Sequence, residues 1–383
     1  MTIDQALGLG SPQVENALSD GLIDKPLILN RYLTIVYCDD NEILVKHGTR
    51  SPYSEIIRDD AKTRLLGKVL RNLRTPASLA DLQQQGFITV DQVSAAVEIV
   101  GHLVGRGILV NPGADPAQAY LNTIFDAPVS GPDRLRTAVI GLIGCGQLGA
   151  RVASELALLQ PQGLVLLDPR PVPKEGWQYL GNGTSAPPER SLDEALRSRL
   201  DNGRLEQLEV VTAADIADDD AVGRVFERVD FVVVAYETYS PTLLHAANEQ
   251  AIRHRTPWMS TYFDGSEAVI GPTCVPGETS CYHEFEIQSE ATLTFKGEHL
   301  IFKESLEERI DSAVLVLPPY AMVAAGLAVT SALRFLINGE TFTTGRAIRL
   351  NFETLSVDFQ DVFKLPRCPA CWSDRPSYRQ LFL

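Results

Sequence analysis

Residues 138–149 read Ala-Val-Ile-Gly-Leu-Ile-Gly-Cys-Gly-Gln-Leu-Gly. The opening half is an apolar run, as expected of a strand buried on both faces of a parallel sheet, and it leads straight into glycines at 144, 146 and 149. Glycines so spaced permit a tight turn, close approach of backbone to a phosphate, and close packing of the next helix on the strand. The pattern predicts that helix over Leu148–Leu159, with its N-terminal N–H groups facing the anion. The alternative is a loop kept only as a packing device.

Working toward the C-terminus, a second apolar strand, Leu164–Leu167, ends at Asp168, 19 positions beyond Gly149. An acidic side chain there can accept hydrogen bonds from ribose hydroxyls. Arg151, near the start of the helix, is a candidate to reach a phosphate, or else a solvated or helix-packing residue. After a polar stretch from Pro169 to Asn202 come a strand at Leu208–Thr212, a helix after Asp218 and a strand at Phe231–Ala235. A helix after Ser240-Pro241 and a strand at Trp258–Tyr262 follow. Alternation of this kind implies an α/β, doubly wound, Rossmann-type sheet. It does not by itself separate a nicotinamide cofactor from ATP, although nothing later resembles the catalytic His or Tyr-Lys arrangement of a nicotinamide enzyme.

Working toward the N-terminus, residues 114–135 read as a linker rich in Pro and Gly, and residues 1–26 as a loose arm. Between them, 27–113 carries the order of a small winged-helix-like domain. Two strand-like segments flank Asp39-Asp40-Asn41 as a hairpin, and a third short strand is expected. Helices follow over Asp60–Leu73, after the Thr75-Pro76-Ala77-Ser78 cap, and from Thr89 to Gly105, before a strand at Ile108–Val110. The last helix carries Asp91, Gln92 and Glu98, which suits DNA poorly; offering a strand edge to a peptide needs no positive charge.

Composition agrees. The chain has 383 residues, 45% hydrophobic and 22% charged, enough for two cores. A net charge of −15 argues against general nucleic-acid binding. No apolar run approaches the roughly 20 residues of a membrane span, and no secretory signal opens the chain, so a cytoplasmic protein without membrane partners is expected. Six cysteines do not suggest a disulfide scaffold, but Cys368-Pro369-Ala370-Cys371 has metal-ligand spacing.

The glycine loop, Asp168, the strand around Phe231, Gly271-Pro272 followed by Pro276-Gly277 and Cys281, and Leu365-Pro366-Arg367-Cys368-Pro369-Ala370-Cys371 together resemble the ThiF/MoeB family of ubiquitin-activating-type proteins. More narrowly, residues 27–373 resemble ThiF-like proteins of ribosomal peptide natural-product pathways. Those carry an N-terminal winged-helix clamp for a precursor's leader peptide and partner a YcaO cyclodehydratase in azoline and azole formation. The resemblance implies a ThiF-like Rossmann sheet preceded by a peptide clamp, and a homodimer. The apolar segment Ser312–Asn338 would then be core or dimer face.

It also implies a structural zinc held by two Cys-x-x-Cys pairs, but here the second position of the first pair is Glu284. Cys281, Cys368 and Cys371 remain, with His283, Cys274 or Glu284 to complete a tetrahedron. The adenylating members further require an arginine soon after the ribose-binding aspartate and a magnesium-binding aspartate after the fourth strand. Here only Arg170 and Lys174 follow Asp168 closely, and Glu237 stands where the aspartate is usual. Two functions stay open: a leader-binding scaffold, or an ATP- and Mg-dependent enzyme that adenylates or phosphorylates a peptide, using Gly144, Gly146, Gly149, Arg151, Asp168 and Glu237.

Overall fold

A computed structural model describes residues 21–50, 54–114, 119–121, 131–173, 190–293, 295–307 and 316–372. The first twenty residues of the expected arm, most of the expected linker, Lys174 and Ser312 lie outside them. The chain divides into two compact units, Met1–Pro132 and Asp133–Leu383.

In the first unit the expected hairpin forms between β2 (Thr34–Tyr37) and β3 (Glu42–Lys46). Its turn is held by the Asp39 carboxylate, which accepts the N–H of Asn41 at 2.6 Å and of Glu42 at 2.8 Å. The segment before it does not extend β2. Ile28–Leu29 is a separate strand, β1, antiparallel to β5 (Leu109–Val110). The break is set by Asn30, 1% exposed, whose amide donates to the carbonyls of Gly107 and Ala119 at 2.8 Å each. The third strand, β4 (Ser54–Arg58), pairs with β3, giving the order β2-β3-β4.

Helix α1 runs Leu65–Asn72, later than the run from Asp60 suggests, because Lys62 and Arg64 have φ of 52° and 63° and interrupt any earlier helix. Helix α2 (Leu79–Gln84) starts at a Ser78–Asp81 capping box, and α3 spans Val93–Gly105. Ile43, Val45 and Ile57 point inward from the sheet onto Leu66, Val69, Leu70, Val100 and Leu103. On the opposite face, paired Val36, Leu44 and Ile56 form an apolar row across the strands, with Val36 43% and Ile56 44% exposed.

After α4 (Gly131–Thr137), the second unit is an eight-stranded sheet in the order β13-β12-β11-β10-β9-β6-β7-β8. Strands β6 (Val139–Ile143), β7 (Gly163–Leu167), β8 (Gln207–Val210), β9 (Phe231–Ala235) and β10 (Trp258–Asp264) are parallel. Strands β11 (Glu267–Cys274), β12 (Arg346–Asn351) and β13 (Ser356–Asp361) extend the sheet antiparallel. The strand order reverses between β6 and β9, so the crevice at their carboxyl ends is the topological switch point where such sheets take ligands. Gly271-Pro272 lies inside β11 with a cis peptide bond.

Helices cover both faces, as parallel strands require. Helices α5 (Gln147–Leu158), α6 (Leu192–Leu200) and α11 (Pro318–Asn338) share one apolar core. Helices α7 (Asp219–Phe226), α8 (Pro241–His254) and α9 (Tyr282–Ala291) share the other. Helix α6 falls within the stretch expected to be merely polar: its Leu192, Leu196 and Leu200 are spaced four apart and buried.

Helix α11 corrects the expectation that no apolar run reaches membrane-spanning length, since its 21 residues include an 18-residue stretch of mean hydropathy 1.7. Its small residues Ala321, Ala324, Ala325, Ala328 and Ala332 are buried in the same core as α5. Packing in the interior therefore accounts for much of its apolar character.

Candidate functional site

The glycine loop sits at the switch point, and each glycine has a different physical reason. Gly144 has φ +94°, and a Cβ there would lie 2.1 Å from the Ala235 carbonyl oxygen. A Cβ on Gly149 would lie 1.8 Å from the Gly144 carbonyl oxygen. These two positions are set by close packing of helix and strands. Gly146 differs, because its absent Cβ would lie 2.2 Å from Oε1 of Glu237, the tip of a side chain.

Glu237 follows β9 and is 7% exposed. Its Oε1 accepts the N–H of Leu148, in the first turn of α5, at 3.2 Å. The N-cap of that helix, Gly146, has no side chain to satisfy these donors, so a remote carboxylate does so and also meets the positive end of the helix dipole. Burial pushes the Glu237 carboxyl above its ordinary pKa, and the nearby Arg170 charge opposes that shift.

Asp168 is fully buried, and its carboxylate is saturated by the protein itself. Oδ2 accepts the Cys145 N–H at 2.7 Å and an Arg170 terminal nitrogen at 2.6 Å; Oδ1 accepts the Arg170 N–H at 3.2 Å and its Nε at 2.8 Å. A carboxylate offers about four acceptor sites, so all are used. The same guanidinium reaches Oε2 of Glu237 at 3.3 Å and lies 4.3 Å from the centre of the Tyr236 ring. Burial alone would lower the pKa of Arg170, but the Asp168 charge, its hydrogen bonds and the Glu237 charge together outweigh that and hold the guanidinium above its ordinary value. Asp193 anchors the arrangement by accepting the Asp168 N–H at 2.8 Å.

The structure thus gathers Gly144, Gly146, Gly149, Asp168 and Glu237, but the partner of both acids is Arg170, which sequence reading ranked only as a nearby basic residue. Its position two residues beyond Asp168 at a strand end was the available signal. Arg151 is half-buried on α5; burial lowers the pKa of Arg199 on α6, and the nearby Arg151 charge adds to that shift. Arg151 therefore lies beside α6.

A second cluster joins the two segments that carried the cysteine motifs. One ligand atom each of Cys281, Glu284, Cys368 and Cys371 lies within 4.8 Å of every other. The Cys281 and Cys368 sulfurs are 3.7 Å apart, and the Cys371 sulfur is 3.6 Å from Oε2 of Glu284. Tetrahedral zinc with Zn–S near 2.3 Å and Zn–O near 2.1 Å spaces sulfurs about 3.8 Å apart and sulfur from oxygen about 3.6 Å apart, so the donor set fits.

Cys281 is the N-cap of α9, and Glu284 accepts its N–H at 2.7 Å while Oε1 accepts that of Leu365 at 2.6 Å. The carboxylate is thereby oriented from behind. Burial pushes the Cys281 thiol up to about 11 and raises Cys371 as well, so thiolates here call for a cation. Zinc would neutralise them and tie the β13 end of the chain to α9. Of the three candidates to complete the tetrahedron, Glu284 is the one gathered with these thiols, and Cys274 stays outside the group.

His283 instead joins His245 and Glu286. His245 Nε2 is 2.7 Å from Glu286 Oε2, while the Tyr239 hydroxyl and Lys303 ammonium donate to Oε1 at 2.8 and 2.7 Å. Burial would raise the Glu286 carboxyl, but the His245 and Lys303 hydrogen bonds outweigh it and hold it down at about 2. Lys303 lies on α10 (Lys296–Glu307), so this network ties α10 to α8 and α9.

A doubly wound sheet with a glycine loop at its switch point and a late Cys-x-x-Cys folded against an N-capping cysteine defines a Rossmann-type α/β protein with an appended cysteine cluster. The ThiF family model matches residues 120–373, and the chain belongs to that family. No curated protein matches it.

Among solved structures, E. coli MccB with ATP is similar at a TM-score of 0.63 and 21% identity, covering 91% of this chain and 100% of MccB. E. coli MccB with MccA-N7isoASN is similar at 0.63 and 19%, covering 90% and 99%. The heterocyclase TruD is similar at 0.57 and 18%, covering 90% of this chain but 42% of TruD.

Proposed function

We propose that this chain binds the leader of a ribosomally made precursor peptide and presents the core of that peptide to a YcaO-type cyclodehydratase for azoline or azole formation, as a zinc-bearing, cytoplasmic homodimer. The observation that carries the reading is the edge strand β4. Among the described residues it pairs only with β3, and its exposed Ile56 continues the apolar row of exposed Val36 and half-buried Leu44. An extended peptide can add there by main-chain hydrogen bonds, with that row and the Arg106–Glu55 ion pair supplying selectivity. Support comes also from the fold shared with MccB, crystallised with MccA, and with the heterocyclase TruD.

The test is calorimetry with a synthetic precursor peptide encoded beside the gene, with and without its leader. The leader-containing peptide binds without ATP, the leaderless one does not, and Ile56→Asp weakens binding by about tenfold or more. Equal binding of both peptides sinks the reading.

A second reading, favoured by the MccB structure with ATP, is an adenylating or phosphorylating enzyme. It requires peptide-dependent release of pyrophosphate or ADP that Asp168→Ala abolishes.

A further inference from the structure

We infer that Glu237 is a built-in ligand of the glycine loop. Its carboxylate occupies the phosphate seat, Arg170 locks it there and fills the ribose-binding acid, and the loop of this chain is closed to nucleotides. The inference concerns the second unit alone and does not rest on peptide binding.

Three observations converge. First, Glu237 takes the N–H that a phosphate would use: Leu148 donates to Oε1 at 3.2 Å at the start of a 12-residue helix. Oxygen of a buried carboxylate at a helix N-terminus is the same chemistry as oxygen of a phosphate there. Second, the space cleared by Gly146 is filled by that carboxylate, since a Cβ would meet Oε1, Cδ and Oε2 at 2.2, 2.6 and 2.8 Å. The glycine that ordinarily admits a phosphate admits a side chain instead. Third, Asp168 has no acceptor site left for a ribose hydroxyl, because two backbone N–H groups and a two-pronged arginine use all four.

Charge points the same way. Among the described residues, Asp168 and Glu237 outnumber Arg170, and Asp193 adds a third carboxyl behind them. A triphosphate entering this crevice would meet net negative charge in a buried setting, where it is poorly screened. Binding would have to break the Arg170 clamp, expel Glu237 and leave a buried acid to find new partners.

The experiment uses the full chain, with Mg-ATP and inorganic pyrophosphate as probes in calorimetry and thermal unfolding. Wild type is expected to bind neither at concentrations up to about a millimolar, a weak limit for any specific site. Glu237→Ala removes the internal ligand and frees the loop N–H, so pyrophosphate affinity rises by about tenfold to a hundredfold while Asp168 stays closed to ribose. Wild type binding Mg-ATP with micromolar affinity overturns the inference, as does a folded Glu237→Ala that gains no pyrophosphate. Should that variant fail to fold, Glu237→Ser, whose hydroxyl is too short to reach the loop, is read the same way. Peptide affinity is unmoved in either variant, which separates failure here from failure of the leader-binding reading.

Discussion

Replacing Gly146 by alanine tests what the glycine is for. Its φ of −71° and ψ of −153° suit any residue, so the backbone carries no penalty beyond the small cost of losing a glycine N-cap. The new methyl would lie 2.2 Å from Oε1 of Glu237, and the acid, being the end of a side chain, must swing away. In doing so it loses the Leu148 N–H at 3.2 Å and the Arg170 contact at 3.3 Å while remaining near a buried site.

A charge-assisted hydrogen bond contributes about 1.5–3 kcal/mol, so Gly146→Ala should cost roughly 3 kcal/mol. For a unit of this size that lowers Tm by about 6–12 °C. In a Glu237→Ala background the obstacle is gone, and the same substitution should cost under about 0.5 kcal/mol or stabilise slightly by restricting the unfolded chain. Urea unfolding of the two single variants, the double variant and wild type gives the coupling energy, expected at about 2 kcal/mol or more. Additivity within about 0.5 kcal/mol would refute the account, because it would mean that Glu237 does not fill the space above Gly146.

Metal analysis of protein prepared without chelator should find one zinc per chain, absent from Cys368→Ser and retained in Glu284→Cys; zinc-free wild type would end that assignment. Acid should weaken the network around Glu286. Its folded pKa of about 2 lies below the unfolded value near 4.3, so its stabilisation is complete above about pH 4.3 and is lost as pH falls toward 2. That amounts to roughly 3 kcal/mol at most, and Glu286→Gln should flatten this part of the pH–stability curve; an unchanged slope would discount the network.

Much of the fold is written locally. The apolar run into Gly144, the leucine-rich strand ending at Asp168 and the Phe231–Ala235 strand specify a buried parallel sheet, because strands covered on both faces need continuous apolar sequence. The hairpin turn at Asp39 and the Ser78 capping box are equally legible, since their hydrogen bonds close within a few residues. Spacing also marks Cys368 and Cys371 as a pair.

What the sequence could not settle depends on atoms far apart along the chain. Asn30 divides an apparently continuous strand by bonding carbonyls 77 and 89 positions away. Glu284 rather than His283 faces the thiols because the N-cap geometry of α9 points it back at Cys281. Glu237 reaches the N–H of Leu148 across 89 residues, and Arg170, two residues from Asp168, becomes its lock only where the loops after β7 and β9 converge. By itself the sequence determined that a glycine loop opens a Rossmann sheet, because chain geometry demands glycine there. Whether that loop faces a phosphate or a carboxylate of its own chain was decided by tertiary structure, which sets which charges meet in a space too small for both.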